Sequence, residues 1–301
     1  MTETTKGVAA MILACTVWGL SGIFYKLLAH IPPEQVLSHR VLWSAVFFAC
    51  VLALQGRLAL LTTVLSDWRQ VRVLILATAM ISLNWFIFIT SVQIGRATEA
   101  SLGYYIFPLV SVVLGRLIFA ERLSPSQGLA IALATLAVVV LTYGLGVAPW
   151  IALVLGCSFA IYGVVKKGLD IGPVVSVTAE VLLLLPIALV VIVLTGGGGF
   201  QDNGLDAGLL MLSGPLTGMP LILFSYAARR VALGNVGVLQ YINPTLQALV
   251  ATLIFGELFT PWHSMAFALI WGAVIIFSIG ALHRSRQEAR QARAAAKAAS
   301  A

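Results

Sequence analysis

Four polar side chains interrupt an apolar run in the last quarter of the sequence: Gln240, Tyr241, Asn243 and Gln247. Gln240, Asn243 and Gln247 are three and four residues apart, so on a helix they share one face. Pro244 lies among them and has no backbone N–H to donate, which frees a carbonyl to point at a ligand. Asn235 precedes them in the same run. Tyr104, Tyr105 and Pro108 form a second cluster, Asn84 with Trp85 a third, and Tyr226 adds another phenol. Two ionisable residues stand in comparable settings, Arg40 seven residues after Pro33 and Glu180 seven after Pro173. Amides, phenols and ring faces grip a small amphipathic organic solute by hydrogen bonds and stacking. Arg40 suits an anionic group of such a solute, and Glu180 a proton or a cationic group.

Catalysis has weaker support. The sequence contains no HExxH, no GxSxG and no GxxxxGK[ST] pattern, so neither hydrolysis nor ATP driving is expected of this chain. His30, His39, His263 and His283 are scattered, and Cys15, Cys50 and Cys157 lack CxxC spacing. No metal, disulfide or cofactor is expected.

The elements that must position these residues are membrane spans. Hydrophobic residues make up 60% of the 301 and charged residues 10%, against about 25% charged in soluble domains. The mean hydropathy is +1.02. Ten apolar stretches approach the roughly 20 residues needed to cross a bilayer: 7–28, 34–55, 71–92, 98–120, 125–146, 149–168, 173–195, 207–228, 233–256 and 261–282. The first has no signal-peptide cleavage pattern and is expected to remain as a helix. The net charge of +7 is read as topology, not as a nucleic-acid surface. With a cytoplasmic N-terminus, fourteen of the 18 basic residues fall on the inner side, which predicts both termini in the cytoplasm of a multi-pass cytoplasmic-membrane protein. Lys166 and Lys167 are expected to snorkel from the end of the sixth span. The basic tail 283–301 should fray or lie on the anionic leaflet as a helix.

The polar clusters repeat. YIFPLVSVVLGRLIFAERLSP at 105–125 aligns without gaps to YINPTLQALVATLIFGELFTP at 241–261, with Tyr, both prolines and Glu121/Glu257 in register. The matched glutamates predict a shared duty at a helix terminus. Phe88 pairs with Phe224 at the same offset, Trp18-Gly19 pairs with Tyr162-Gly163, and RVL at 40–42 pairs with EVL at 180–182. Residues 7–146 and 149–282 thus form two five-span halves. An odd number of spans inserts the second half upside down, a plan that places a site near the midplane between halves. Gly214 and Gly218 form a GxxxG whose expected role is close helix packing.

WGLSGIFYKLL at 18–28, SHRVLWS at 38–44, LNWFIFI at 83–89, EASLGYYIFP at 99–108 and GVLQYINPTLQ at 237–247 resemble the RarD proteins of the EamA branch of the drug/metabolite transporter superfamily. The resemblance spans about residues 7–282. It implies an all-α membrane protein with ten transmembrane helices, built as two inverted five-helix EamA repeats. It also implies a permease of the inner membrane; such proteins are commonly labelled chloramphenicol-sensitivity or chloramphenicol-resistance permeases. Phe107 departs from the pattern, standing opposite Asn243 where the family often carries Asn in both halves. The function expected is secondary transport of small organic solutes or drugs by alternating access. Its partners would be the solute, the lipid bilayer and a coupling proton, with no nucleic acid. A receptor or scaffold without transport is the other reading.

Overall fold

The computed structural model describes residues 2–119, 124–146, 149–167, 169–197, 199–200, 203–231, 236 and 238–299, and among these the chain is helical, without a strand. The helices are α1 (Glu3–Leu27), α2 (Pro33–Leu54), α3 (Ala59–Ser66), α4 (Trp68–Gln93), α5 (Ala97–Phe119), α6 (Pro125–Leu145), α7 (Trp150–Lys167), α8 (Pro173–Leu194), α9 (Gly204–Ala228), α10 (Ile242–Leu249, followed by a π turn at Val250–Ile254) and α11 (Pro261–Ala299). Their starts are written in the sequence. Proline opens α2, α6, α8 and α11, where its missing N–H costs nothing. Ser124 and Gln127 form a capping box on α6, and Asp67 and Asn203 cap α4 and α9 with their side chains.

Among the described residues, eight helices are long and apolar enough to cross a membrane; Trp150–Lys166 and Ile242–Ile254 are apolar but shorter. These two fall on the sixth and ninth expected spans. The described residues of the ninth do not form one continuous helix. Tyr241 N–H donates to Val238 O at 3.2 Å and Asn243 N–H to Gln240 O at 3.1 Å, tight turns that break the run. The cause is Pro244, which cannot donate to the Gln240 carbonyl that a continuous helix would offer it. Helix α3 was not anticipated; Leu61 and Val64 on it join the apolar cluster of Leu52, Leu74, Val175 and Ala179. Of the two expectations for the tail, the structure shows the helix: α11 runs on to Ala299, in keeping with the helix-forming Ala, Arg, Gln and Lys of this segment.

Helix α2 packs on α8 and α9, α1 on α9 and α10, α7 on α4 and α5, and α6 on α11. Glycines let two of these crossings close to backbone contact. A Cβ on Gly103 would stand 2.8 Å from Ala152 O, and one on Gly214 would strike the Trp43 carbonyl. The GxxxG of α9 therefore seats that helix on α2. The outer surface is apolar, as lipid requires: Leu54, Leu194 and Leu253 are each at least three-quarters exposed.

Candidate solute-binding cavity

A cavity of about 310 Å³ lies among the helices. Its wall takes Trp18, Ser21 and Tyr25 from α1, Arg40 from α2, Asn84, Trp85 and Phe88 from α4, and Tyr104 and Phe107 from α5. The facing wall takes Phe159, Tyr162 and Lys166 from α7, Val177 from α8, Thr217 and Phe224 from α9, and Asn243, Pro244 and Gln247 from α10 with Gln240 just before it. Aromatic rings cover much of it, and several meet edge to face, among them Tyr104 and Phe107 against Phe159.

Arg40 is 93% buried, at 7% exposure. Its Nε donates to Thr217 Oγ1 at 2.9 Å, and its guanidinium lies 4.1 Å over the Trp85 ring and 5.6 Å from that of Tyr25. No carboxylate pairs with it among the described residues. Ring faces offset part of the cost of burying this charge, about 2 kcal/mol for a desolvated contact.

Asn84 is fully engaged. Its Nδ2 donates to Leu155 O at 3.0 Å and Ser158 Oγ at 3.1 Å, and its Oδ1 accepts from Tyr104 OH at 2.8 Å. It braces α4 against α7 and α5. Gln247 Nε2 donates to Asn243 Oδ1 at 3.0 Å, leaving Gln247 Oε1 buried without a partner among the described residues.

Glu180, Tyr105 and Tyr241 are not on the cavity wall. Glu180 is behind it, 2% exposed. It pairs with Lys166 Nζ at 2.6 Å and accepts from Tyr162 OH at 3.0 Å and Ser176 Oγ at 3.0 Å. Lys166 therefore turns inward to a carboxylate and does not snorkel as its place at a span end suggested. The low dielectric behind the wall favours the paired arrangement. Tyr105 and Tyr241 stack on each other, centroids 6.2 Å apart, in the apolar cluster with α6 and α11. Tyr105 OH shares a hydrogen bond with Thr245 Oγ1 at 2.8 Å. A phenol can serve packing as well as binding, and here both rings serve packing.

Trp18, Tyr162, Phe88 and Phe224 also line the cavity, and their pairing in the repeat is the sequence signal for it. Thr217 carried none. Asn235 and Glu121 lie outside the described residues.

One end of the cavity reaches Lys166, at the end of α7, and Pro173, at the start of α8. At the opposite end of the bundle, polar contacts tie helix ends together. Gln93 Nε2 donates to Leu28 O and Ile31 O, both at 3.1 Å, and His39 Nε2 lies 2.9 Å from Gly197 O. Glu257 accepts from the N–H groups of Ala97 and Thr98 at 2.7 Å, holding the N-terminus of α5. Glu257 thus has the helix-terminus duty its position suggested.

Residues 5–143 match the EamA-like transporter family. Protein RarD of Streptomyces exfoliatus is 38% identical over 93% of this chain and 90% of its own length. Protein RarD of Escherichia coli (strain K12) is 34% identical over 96% and 99%, and the uncharacterized transporter YojE of Bacillus subtilis (strain 168) is 36% identical over 92% and 94%. A crystal structure only 18% identical superposes with a TM-score of 0.63 over 92% of this chain and 98% of that one, which speaks to the fold alone.

Proposed function

The chain belongs to the EamA-like transporter family, with RarD proteins among its relatives, and we propose that this membrane transporter moves small organic solutes across the cytoplasmic membrane by alternating access. The observation that carries the reading is the cavity: about 310 Å³, aromatic-walled, and built from both halves of the chain. That volume is at the small end of ligand sites. Arg40, Trp85, Tyr104, Gln240, Asn243 and Gln247 are the contacts we assign to solute, with Asn84 as their brace.

The ten-span, two-repeat architecture is part of the proposal, with α7 and α10 as the sixth and ninth spans, halves at 7–146 and 149–282, and both termini cytoplasmic. The helix pairing supports it. Exchanging the first five spans for the last five carries α5 on α7 into α10 on α1, and α4 on α7 into α9 on α1, and each of these pairs is in contact. Trp18 with Tyr162 and Phe88 with Phe224, matched in the repeat, both line the cavity. In the proposed orientation the cavity end at Lys166 faces the cytoplasm and the end tied by Gln93 and His39 faces out.

A proton is the coupling ion we assign, at Glu180: protonating the carboxyl would release Lys166 toward the cavity. Flux in proteoliposomes tests the whole. Solute exchange dependent on the protein is expected, with a response to an imposed proton gradient that Glu180→Gln removes. Absence of any exchange, with bound solute detectable, would favour a receptor.

A further inference from the structure

The two deepest charges of the cavity region are not equivalent. Glu180 is already neutralised by Lys166 at 2.6 Å and screened by Tyr162 and Ser176. Arg40 is not neutralised. Its one hydrogen bond uses Nε, so the two terminal nitrogens, four N–H donors in a planar fork, have no acceptor among the described residues and border the cavity. A buried guanidinium without an anion is costly, and a carboxylate is the group that fits its fork with two parallel hydrogen bonds.

Resting on the transport reading above, we propose that the solute is a small organic monoanion whose carboxylate docks on the terminal nitrogens of Arg40. The stacked geometry adds a second demand. With Trp85 at 4.1 Å and Tyr25 at 5.6 Å, the fork presents an edge flanked by rings, so the carbon next to the carboxylate meets aromatic walls. The far pole is set by α10. A Cβ on Gly19 would stand 3.0 Å from Asn243 O, which places Asn243 at the level of Gly19. Arg40 stands at the level of Tyr25, six residues further along α1, or about 9 Å. The Asn243–Gln247 amide pair on that side of the cavity offers neutral polar contacts, not a second charge. A cation has no free carboxylate to meet among the described cavity residues.

The test uses the full-length protein in detergent and a charge series on one skeleton: phenylacetate, phenylacetamide and phenethylamine, repeated with indole-3-acetate, its amide and tryptamine. Thermal unfolding should shift up with each acid, at concentrations about tenfold or more below those needed for the amide or amine. Arg40→Gln should erase that preference and Arg40→Lys should retain part of it. An amide or amine that stabilises the wild type as well as its acid overturns the proposal, and so does the failure of both acids to shift it. This comparison on wild type decides even if Arg40→Gln does not fold. Counterflow in proteoliposomes separates the two readings. Acids that bind but do not exchange would sink transport and leave the anion site standing; exchange confined to neutral or cationic probes would sink the anion site and leave transport standing.

Discussion

The carboxylate of Glu257 clasps Thr98 twice, accepting its backbone N–H and its hydroxyl, both at 2.7 Å. The contact spans 159 residues of sequence and fastens the end of the α10 region to the first turn of α5. Glu257→Ala leaves two helix N–H groups without a cap and should cost about 1–2 kcal/mol. Amide exchange at Ala97 and Thr98 should accelerate with it. Unchanged exchange at these two amides would show that the clasp holds nothing.

The Lys166–Glu180 pair should be costly to break from one side. Lys166 is 19% exposed and Glu180 2%, so Glu180→Gln strands a partly buried ammonium, at a cost of about 3–5 kcal/mol. Glu180→Gln with Lys166→Met should recover most of that, because the stranded charge is gone. Thermal unfolding of the single and double variants checks it; a double variant no more stable than the single would refute the pairing as the source.

Glycines should divide by what faces them. Gly214→Ala drives a methyl into the Trp43 carbonyl, and backbone does not yield as a side chain would; about 1–3 kcal/mol is expected, with lower folded yield. Gly163→Ala meets nothing within 4 Å on the exposed face of α7 and should be neutral, or stabilising by up to about 1 kcal/mol. Equal effects of the two substitutions would argue against the α2–α9 contact.

The proposed orientation places the end of α8 outside and the end of α3 inside. In a background with Cys15, Cys50 and Cys157 replaced by Ala, a cysteine at exposed Thr195 should react with an impermeant maleimide in intact cells. One at exposed Ser66 should react only after permeabilisation. The reverse pattern would invert the topology.

The spans were legible because lipid imposes length and apolarity together, and prolines such as Pro33, Pro125 and Pro173 punctuate the starts. What lay beyond the sequence was direction. In a helix apolar on every side, periodicity does not say which face looks inward. Tyr104 and Tyr105 are neighbours of one type, yet the first lines the cavity and the second stacks on Tyr241 behind it. Lys166 read as a charge at a span end, since only the fold brings Glu180 beside it. The break before α10 follows from Pro244, inside a stretch whose apolarity reads as one span; the tight turns at Tyr241 and Asn243 show where the chain parts.

Under the transport cycle proposed above, the unmatched Arg40 sets an electrical polarity. An empty cavity carries one positive charge, whereas a cavity holding a monoanion carries none, because Lys166 is already balanced by Glu180. Voltage then acts on one half of the alternating-access cycle only, with about 2.3 kcal/mol for each charge moved across about 100 mV. In a cell whose interior is negative, the empty site is drawn back to the cytoplasmic face while the loaded site crosses without opposition. On the proposed cycle the membrane potential therefore favours outward movement of a bound monoanion, alongside the proton coupling assigned to Glu180.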